Sequence, residues 1–229
     1  AEEEYPDDPE GYWRELRAKY FGNVTVLDRG IGPILKALEE SGQADNTIVV
    51  FTSDHGDSLG DRGMINKRAF YEEVARVPLI VHVPWISMCE QRVDGSIGHT
   101  DLVPTLLDLM GENVPDHLQG ASRKDVLEGS GVLSDDVFMQ WHGGAATVPL
   151  GNAEVERLSE VPWRCMVSGD RWKLNLSPSD TCELYDLNSD PLELTNLYAD
   201  AEHAGRVRDM TARMKDWQQR TGDELELGV

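Results

Sequence analysis

Apolar side chains recur at every third or fourth position along the amino-terminal stretch. Leu16, Tyr20, Val24, Leu27, Ile31, Ile34 (or Leu35) and Leu38 fall on one face of a helix predicted over residues 12–40. Pro33 is expected to kink that helix or divide it in two, and Ser41-Gly42 to stop it. The pattern then changes. Residues 47–52 (TIVVFT) and 78–83 (PLIVHV) are continuous β-branched and apolar runs. Such runs suit strands buried on both faces, as in a parallel sheet covered by helices. Between them, residues 54–70 are rich in Gly, Asp and basic side chains and read as a long functional loop. Thr100 is the predicted N-cap of a helix through Leu102, Leu106, Leu107 and Met110, with Gly111 as its stop. Helix, strand, loop, strand, helix is an α/β signature.

After about residue 120 the texture shifts to short alternating segments at 137–141, 163–168, 171–176 and 183–187. Turn chemistry separates the later ones, at Ser168-Gly169-Asp170 and Ser177-Pro178-Ser179-Asp180. A small antiparallel sheet is expected, followed by a helix over 201–220 with Val207, Met210, Met214 and Trp217 inward. The predicted organisation is therefore an α/β part over residues 1–120 and a smaller α+β subdomain over 121–229.

Charge narrows the partners. The chain has 229 residues, 42 acidic against 21 basic, for a net charge of −21. Such a surface repels nucleic acid and anionic membranes. No apolar run approaches the roughly 18 residues of a membrane span, so a soluble protein is expected. The opening residues have neither a basic n-region nor an apolar h-region, so they are not a signal peptide, although a mature chain would have lost one. Cytoplasmic and periplasmic or secreted locations both stay open. Any anion site must offset the acidic field with local metal or lysine charge. Cys89, Cys165 and Cys182 contain no CxxC and argue against a disulfide framework or zinc cluster. Cys165 and Cys182 are the pair best placed to bridge, but buried free thiols are the preferred reading.

The chemistry concentrates in Thr52-Ser53-Asp54-His55-Gly56 and the loop that follows. Asp54 and His55 fall where a buried strand ends, the expected position for a ligand site in an α/β sheet. A carboxylate beside an imidazole suits a divalent cation, with His extending the choice toward zinc or manganese. Gly56 would let the chain turn without a side chain obstructing the metal. The plain alternative is a strand-ending turn closed by an Asx hydrogen bond. Of the other histidines, His82 reads as a satisfied core residue, His99 as part of a helix start, and His117 and His203 as surface residues. Trp85 and Trp141 are the tryptophans to watch near a site.

The stretch 46–83, NTIVVFTSDHGDSLGDRGMINKRAFYEEVARVPLIVHV, resembles the second signature region of the sulfatase family, within the alkaline phosphatase superfamily. The helix carrying Tyr20-Phe21-Gly22-Asn23 and the stretch His99-Thr100-Asp101-Leu102-Val103-Pro104 resemble the family's flanking helices. Gly169-Asp170-Arg171-Trp172-Lys173, Glu183-Leu184-Tyr185-Asp186-Leu187 and Asp190-Pro191 with Glu193-Leu194-Thr195-Asn196-Leu197 are similar to its carboxyl-terminal sheet. The resemblance implies an alkaline-phosphatase-like sheet covered by helices, present in part, then the small antiparallel sheet and its helix. It implies that Asp54 and His55 coordinate the active-site cation: calcium first, with manganese or zinc admitted by His55. It implies that Lys67 contacts the sulfate, where a point charge would neutralise a nonbridging oxygen. Arg62, Arg68 and His142 are further candidate substrate contacts.

The family's nucleophile is a cysteine or serine in C/S-x-P-x-R, converted to formylglycine, and this chain contains no such motif. The expectation is a carboxyl-terminal part of a longer enzyme, inactive alone and paired with a missing amino-terminal half. Its substrate would be a small-molecule sulfate ester. Hydrolysis of a phosphonate monoester or phosphodiester is the second reading, since Asp-His in place of Asp-Asn is shared with those relatives. A non-catalytic metal-binding remnant is the third.

Overall fold

A computed structural model describes residues 7–67, 69–86, 92–144 and 160–229. The chain gathers into two compact units, Ala1–Ser87 and Met88–Val229.

In the first unit, α1 (Pro9–Glu40) is capped by Asp8, whose carboxylate accepts from the Gly11 N–H at 2.8 Å, with proline in the first turn. Pro33 lies within α1 and does not divide it. A proline removes one backbone hydrogen bond, and here Leu35-Lys36-Ala37-Leu38, all good helix formers, carry the helix on. The apolar stripe exists, but no residue of α1 is buried, and Val26, Leu27 and Ile34 are each about two-thirds exposed.

β1 (Val49–Thr52) pairs with β2 (Leu79–His82), and the pairing is antiparallel, not parallel. Among its described residues the connection between them contains one α-helical turn, α2 (Glu72–Ala75), and no crossover helix of the kind that joins parallel neighbours. Nor are the strands buried on both faces. Phe51 is 43% and Ile80 62% exposed; among the described residues the two strands form a sheet of two. His82, expected in a core, is exposed on the same alternation as Ile80.

The second unit begins with a 3-10 turn, His99–Asp101, that runs into α3 (Leu102–Leu109). Asp101 occupies the N-cap position expected for Thr100, which lies inside the turn. Its carboxylate reaches forward instead, accepting from Ala121 N–H at 2.8 Å and pairing with Arg123 at 3.0 Å. After α4 (Lys124–Leu127), the strands β3 (Val137–Trp141), β4 (Trp163–Val167), β5 (Trp172–Leu176) and β6 (Glu183–Asp186) form an antiparallel sheet in that order. A second 3-10 turn, Ala201–His203, leads into α5 (Ala204–Thr221).

Met210 and Met214 of α5 join Met166, Leu174, Leu176 and Leu184 of the sheet in a core with no solvent exposure. Phe138 and Trp217 stack at its edge, 3° from parallel with centroids 5.0 Å apart. Two charged pairs are sealed into this unit. Lys173 and Glu193 meet at 2.9 Å with both side chains fully buried. Arg164, 1% exposed, grips Asp223 with two bonds of 2.6 Å and donates to the Trp141 and Trp163 carbonyls. Asn196 Oδ1 accepts from the backbone N–H of Leu184 and Tyr198, and its amide donates to Cys182 O, tying the turn after β6 to the sheet. Cys165 and Cys182 are free thiols, the first buried and the second half-buried; Cys89 lies outside the described residues. No helix among the described residues is long and apolar enough to cross a membrane.

Candidate functional site

β1 ends at Thr52, and the chain turns just after Ser53. The Asp54 Oδ1 accepts from the His55 N–H at 2.9 Å, and this bond chiefly holds the carboxyl below the usual aspartate range. Gly56 follows for a reason different from the one its sequence position suggests. A Cβ there would sit 2.0 Å from the Glu73 carbonyl oxygen, because Gly56 N–H donates to Val74 O at 2.8 Å and the two backbones are in contact. The glycine admits α2 and does not merely clear the metal's side of the turn.

The loop then closes on itself and brings Lys67 back to His55. Lys67 Nζ lies 2.5 Å from His55 Nε2, and Asp54 Oδ2 lies 3.2 Å from the same nitrogen. An ammonium has only hydrogens to offer, so Nε2 accepts, and it cannot also donate to Asp54. The proton therefore sits on Nδ1, which donates to Gly56 O at 2.7 Å. The Asp54 carboxylate and the Lys67 ammonium thus both approach His55 Nε2, one from the adjacent residue and the other from the far end of the loop.

That donor chemistry fits a divalent cation, as a carboxylate and a neutral imidazole oriented by its second nitrogen. It supplies two ligands only. Among the described residues, no group of three or more His, Cys, Asp or Glu converges as a full metal cage would. The three residues singled out in the sequence lie together past the end of β1.

The other candidates fall elsewhere. The Arg62 guanidinium pairs with Glu73 at 2.6 Å and stacks over the Tyr71 ring at 3.7 Å, which commits it to holding the loop against α2. Arg68 lies outside the described residues. His142 belongs to the carboxyl-terminal unit, where it lines a groove of 510 Å³ with Gln140, Trp217 and Glu224. Trp85 is 48% exposed, and Trp141 gives its carbonyl to Arg164.

Four residues that support the loop carry no obvious chemistry in the sequence. Asp57 accepts from the Leu59 and Asn66 backbone N–H groups, and Ser58 binds Asn66 O. Arg17, on α1, donates to Leu59 O at 2.8 Å and pairs with Asp61, while Trp13 packs against Gly60. The signal for Asp57 was there to read: an Asp three residues before a Gly is turn chemistry.

Comparison with known proteins gives this geometry its family. Residues 1–112 match the sulfatase family, and residues 60–220 match the family described as N-sulphoglucosamine sulphohydrolase, C-terminal. The chain belongs to the sulfatase family. It is 32% identical to an N-acetylglucosamine-6-O-sulfatase of Bacteroides thetaiotaomicron, over 92% of this chain and 37% of that protein. It is 34% identical to a choline-sulfatase of Rhizobium meliloti, over 80% of this chain and 33% of that protein. Its fold matches a solved phosphonate monoester hydrolase from Silicibacter pomeroyi with a TM-score of 0.80 at 27% identity, covering 96% of this chain and 44% of that one. The chain thus spans less than half the length of these sulfatase-family relatives, and its fold is part of the alkaline-phosphatase-like architecture they share.

Proposed function

We propose that this chain contributes the carboxyl-terminal part of a sulfatase active site, and that the whole protein hydrolyses sulfate monoesters. The observation that carries the reading is the convergence of Asp54 Oδ2, His55 Nε2 and Lys67 Nζ just past the end of β1, in a chain of this family. In the net reaction, water adds to sulfur, the ester S–O bond breaks, and an alcohol and sulfate leave. Asp54 and His55 hold a divalent cation, which supplies positive charge against the sulfate oxygens when bound. Calcium is the first candidate, and the imidazole also admits manganese or zinc. Lys67 donates to a nonbridging oxygen and stabilises charge that grows in the transition state. The nucleophile, a formylglycine, comes from polypeptide outside these 229 residues, as do the remaining cation ligands. The exposed apolar faces of α1 and of the β1–β2 pair support this view, since they suit further layers of the same sheet. The isolated chain is accordingly inactive. The relatives' names point to a small sulfated substrate, such as an amino sugar sulfate or choline sulfate.

The Asp54-His55 pair, together with the fold match to a phosphonate monoester hydrolase, favours a second reading in which a phosphonate monoester or phosphodiester is cleaved. The test is the protein carrying its upstream polypeptide, assayed with an aryl sulfate, an aryl phosphonate monoester and an aryl phosphodiester. Sulfate turnover well above both phosphorus esters, lost in Lys67→Ala, is the expected result. Background sulfate turnover beside rapid cleavage of a phosphorus ester would replace the first reading by the second.

A further inference from the structure

Lys67 is exposed on a loop, and a lysine side chain has many rotamers to lose when it settles on one partner. Its approach to His55 therefore needs a backbone that arrives already aimed. The loop 57–66 supplies one. Asp57 Oδ1 accepts two backbone hydrogens, from Leu59 at 2.9 Å and from Asn66 at 3.2 Å. Ser58, 1% exposed, binds the Asn66 carbonyl twice, through its backbone N–H at 3.0 Å and its hydroxyl at 3.1 Å. Both backbone polar groups of Asn66 are thus held by two consecutive residues that directly follow Gly56. Asn66 itself is left-handed, with φ of 68°, a conformation asparagine tolerates better than most residues. The chain reverses there and presents the next residue, Lys67, back toward His55 Nε2.

We propose that Asp57 and Ser58 are positioning residues for Lys67. They clamp Asn66 in its left-handed turn so that the Lys67 ammonium is delivered beside His55 Nε2. Neither touches the reacting centre. The inference rests on the reading of Asp54, His55 and Lys67 as a site, and it adds how that site is aimed. Asp57 acts here through its oxygen as an acceptor and not through its charge, so an amide oxygen at the same place does the same work.

The test is nitrogen NMR of the 229-residue chain with labelled histidine, in chelator-containing buffer above the ordinary histidine pKa range. The His55 signals are assigned by their loss in His55→Gln. In the parent chain, His55 carries its proton on Nδ1, and Nε2 is shifted by the bond from Lys67. Lys67→Met moves Nε2 to the position of an unbonded imidazole nitrogen. Asp57→Ala produces the same displacement, and Asp57→Asn restores the parent value. Ser58→Ala keeps its backbone bond to Asn66 and gives a smaller displacement in the same direction. A role confined to loop stability would disturb the amides of residues 57–66 and leave the His55 ring nitrogen in place. The proposal is overturned if Lys67→Met moves Nε2 while Asp57→Ala and Ser58→Ala do not, or if Asp57→Asn moves it as far as Asp57→Ala. If Lys67→Met leaves Nε2 unmoved, the contact itself is absent and the underlying site reading falls with the positioning role.

Discussion

The two units of this chain spend their hydrophobic residues differently. In the carboxyl-terminal unit the apolar positions of β4, β5, β6 and α5 close on one another, and six core side chains have no exposure at all. In the amino-terminal unit only Ser58, Val74 and Val83 are buried among the described residues, while Phe21, Leu27, Ile34 and Ile80 each stand more than half exposed. The candidate chemistry lies in the open unit. Burial and candidate chemistry are therefore separated: one unit shows how a small sheet is locked, and the other how a loop turns back on itself with few buried side chains beneath it.

The buried pairs of the closed unit offer the strongest way to break this contrast. Lys173→Ala leaves the Glu193 carboxyl buried without the cation it meets, and removing one partner of such a pair costs about 3–5 kcal/mol. Urea denaturation followed by near-ultraviolet circular dichroism should show that loss. A loss below about 1 kcal/mol would mean that the interior reaches water. Replacing both partners together, as Lys173→Met with Glu193→Leu, should cost much less than either single change.

Acid should loosen the same unit in a defined window. Arg164 chiefly holds the Asp223 carboxyl down to about 2, from an ordinary value of 3.8. A depressed carboxyl stabilises the fold above its unfolded value and loses that contribution as pH falls through the folded one. The contribution, on the order of 2 kcal/mol, should be complete above pH ~4 and gone below pH ~2. Stability measured over that range should lose this component in Asp223→Asn. An unchanged acid profile in the variant would remove Asp223 from the account.

The smallest effect is expected in the open unit. Phe51→Ser, at a position 43% exposed, should change stability by no more than about 0.5 kcal/mol. Leu184→Ser in β6, with no exposure, should cost about 3 kcal/mol or more. Equal costs would erase the distinction between the units.

How much of this was legible in the sequence follows the same division. The four strands of the closed sheet and the inner face of α5 were readable to within a residue or two, because period and burial agree there: Met210 and Met214 are apolar and do face a core. In the open unit the pattern described an environment these residues do not have in this chain. The runs at 47–52 and 78–83 carry the composition of strands covered on both faces, yet they pair antiparallel, the first exposing Phe51 and the second exposing every second side chain from Pro78 to His82. Pro33 failed to divide α1 because one lost hydrogen bond is a local penalty in a helix of 32 residues. Asp54, His55 and Lys67 were legible as types at a spacing. The approach of Lys67 to His55 at 2.5 Å was not, since it depends on the left-handed Asn66 and on the bonds that Asp57 and Ser58 make to it.

The central claim is that Asp54 and His55 present a cation site. A chain with a net charge of −21 will collect divalent cations at many carboxylates, so total binding is a poor witness and a position-specific signal is needed. Substoichiometric manganese added to the histidine-labelled chain provides one, through paramagnetic broadening. The His55 ring signals should broaden before those of the other five histidines, and that preference should vanish in Asp54→Ala. Broadening spread evenly over all six histidines, or a His55 preference that survives Asp54→Ala, would contradict the account.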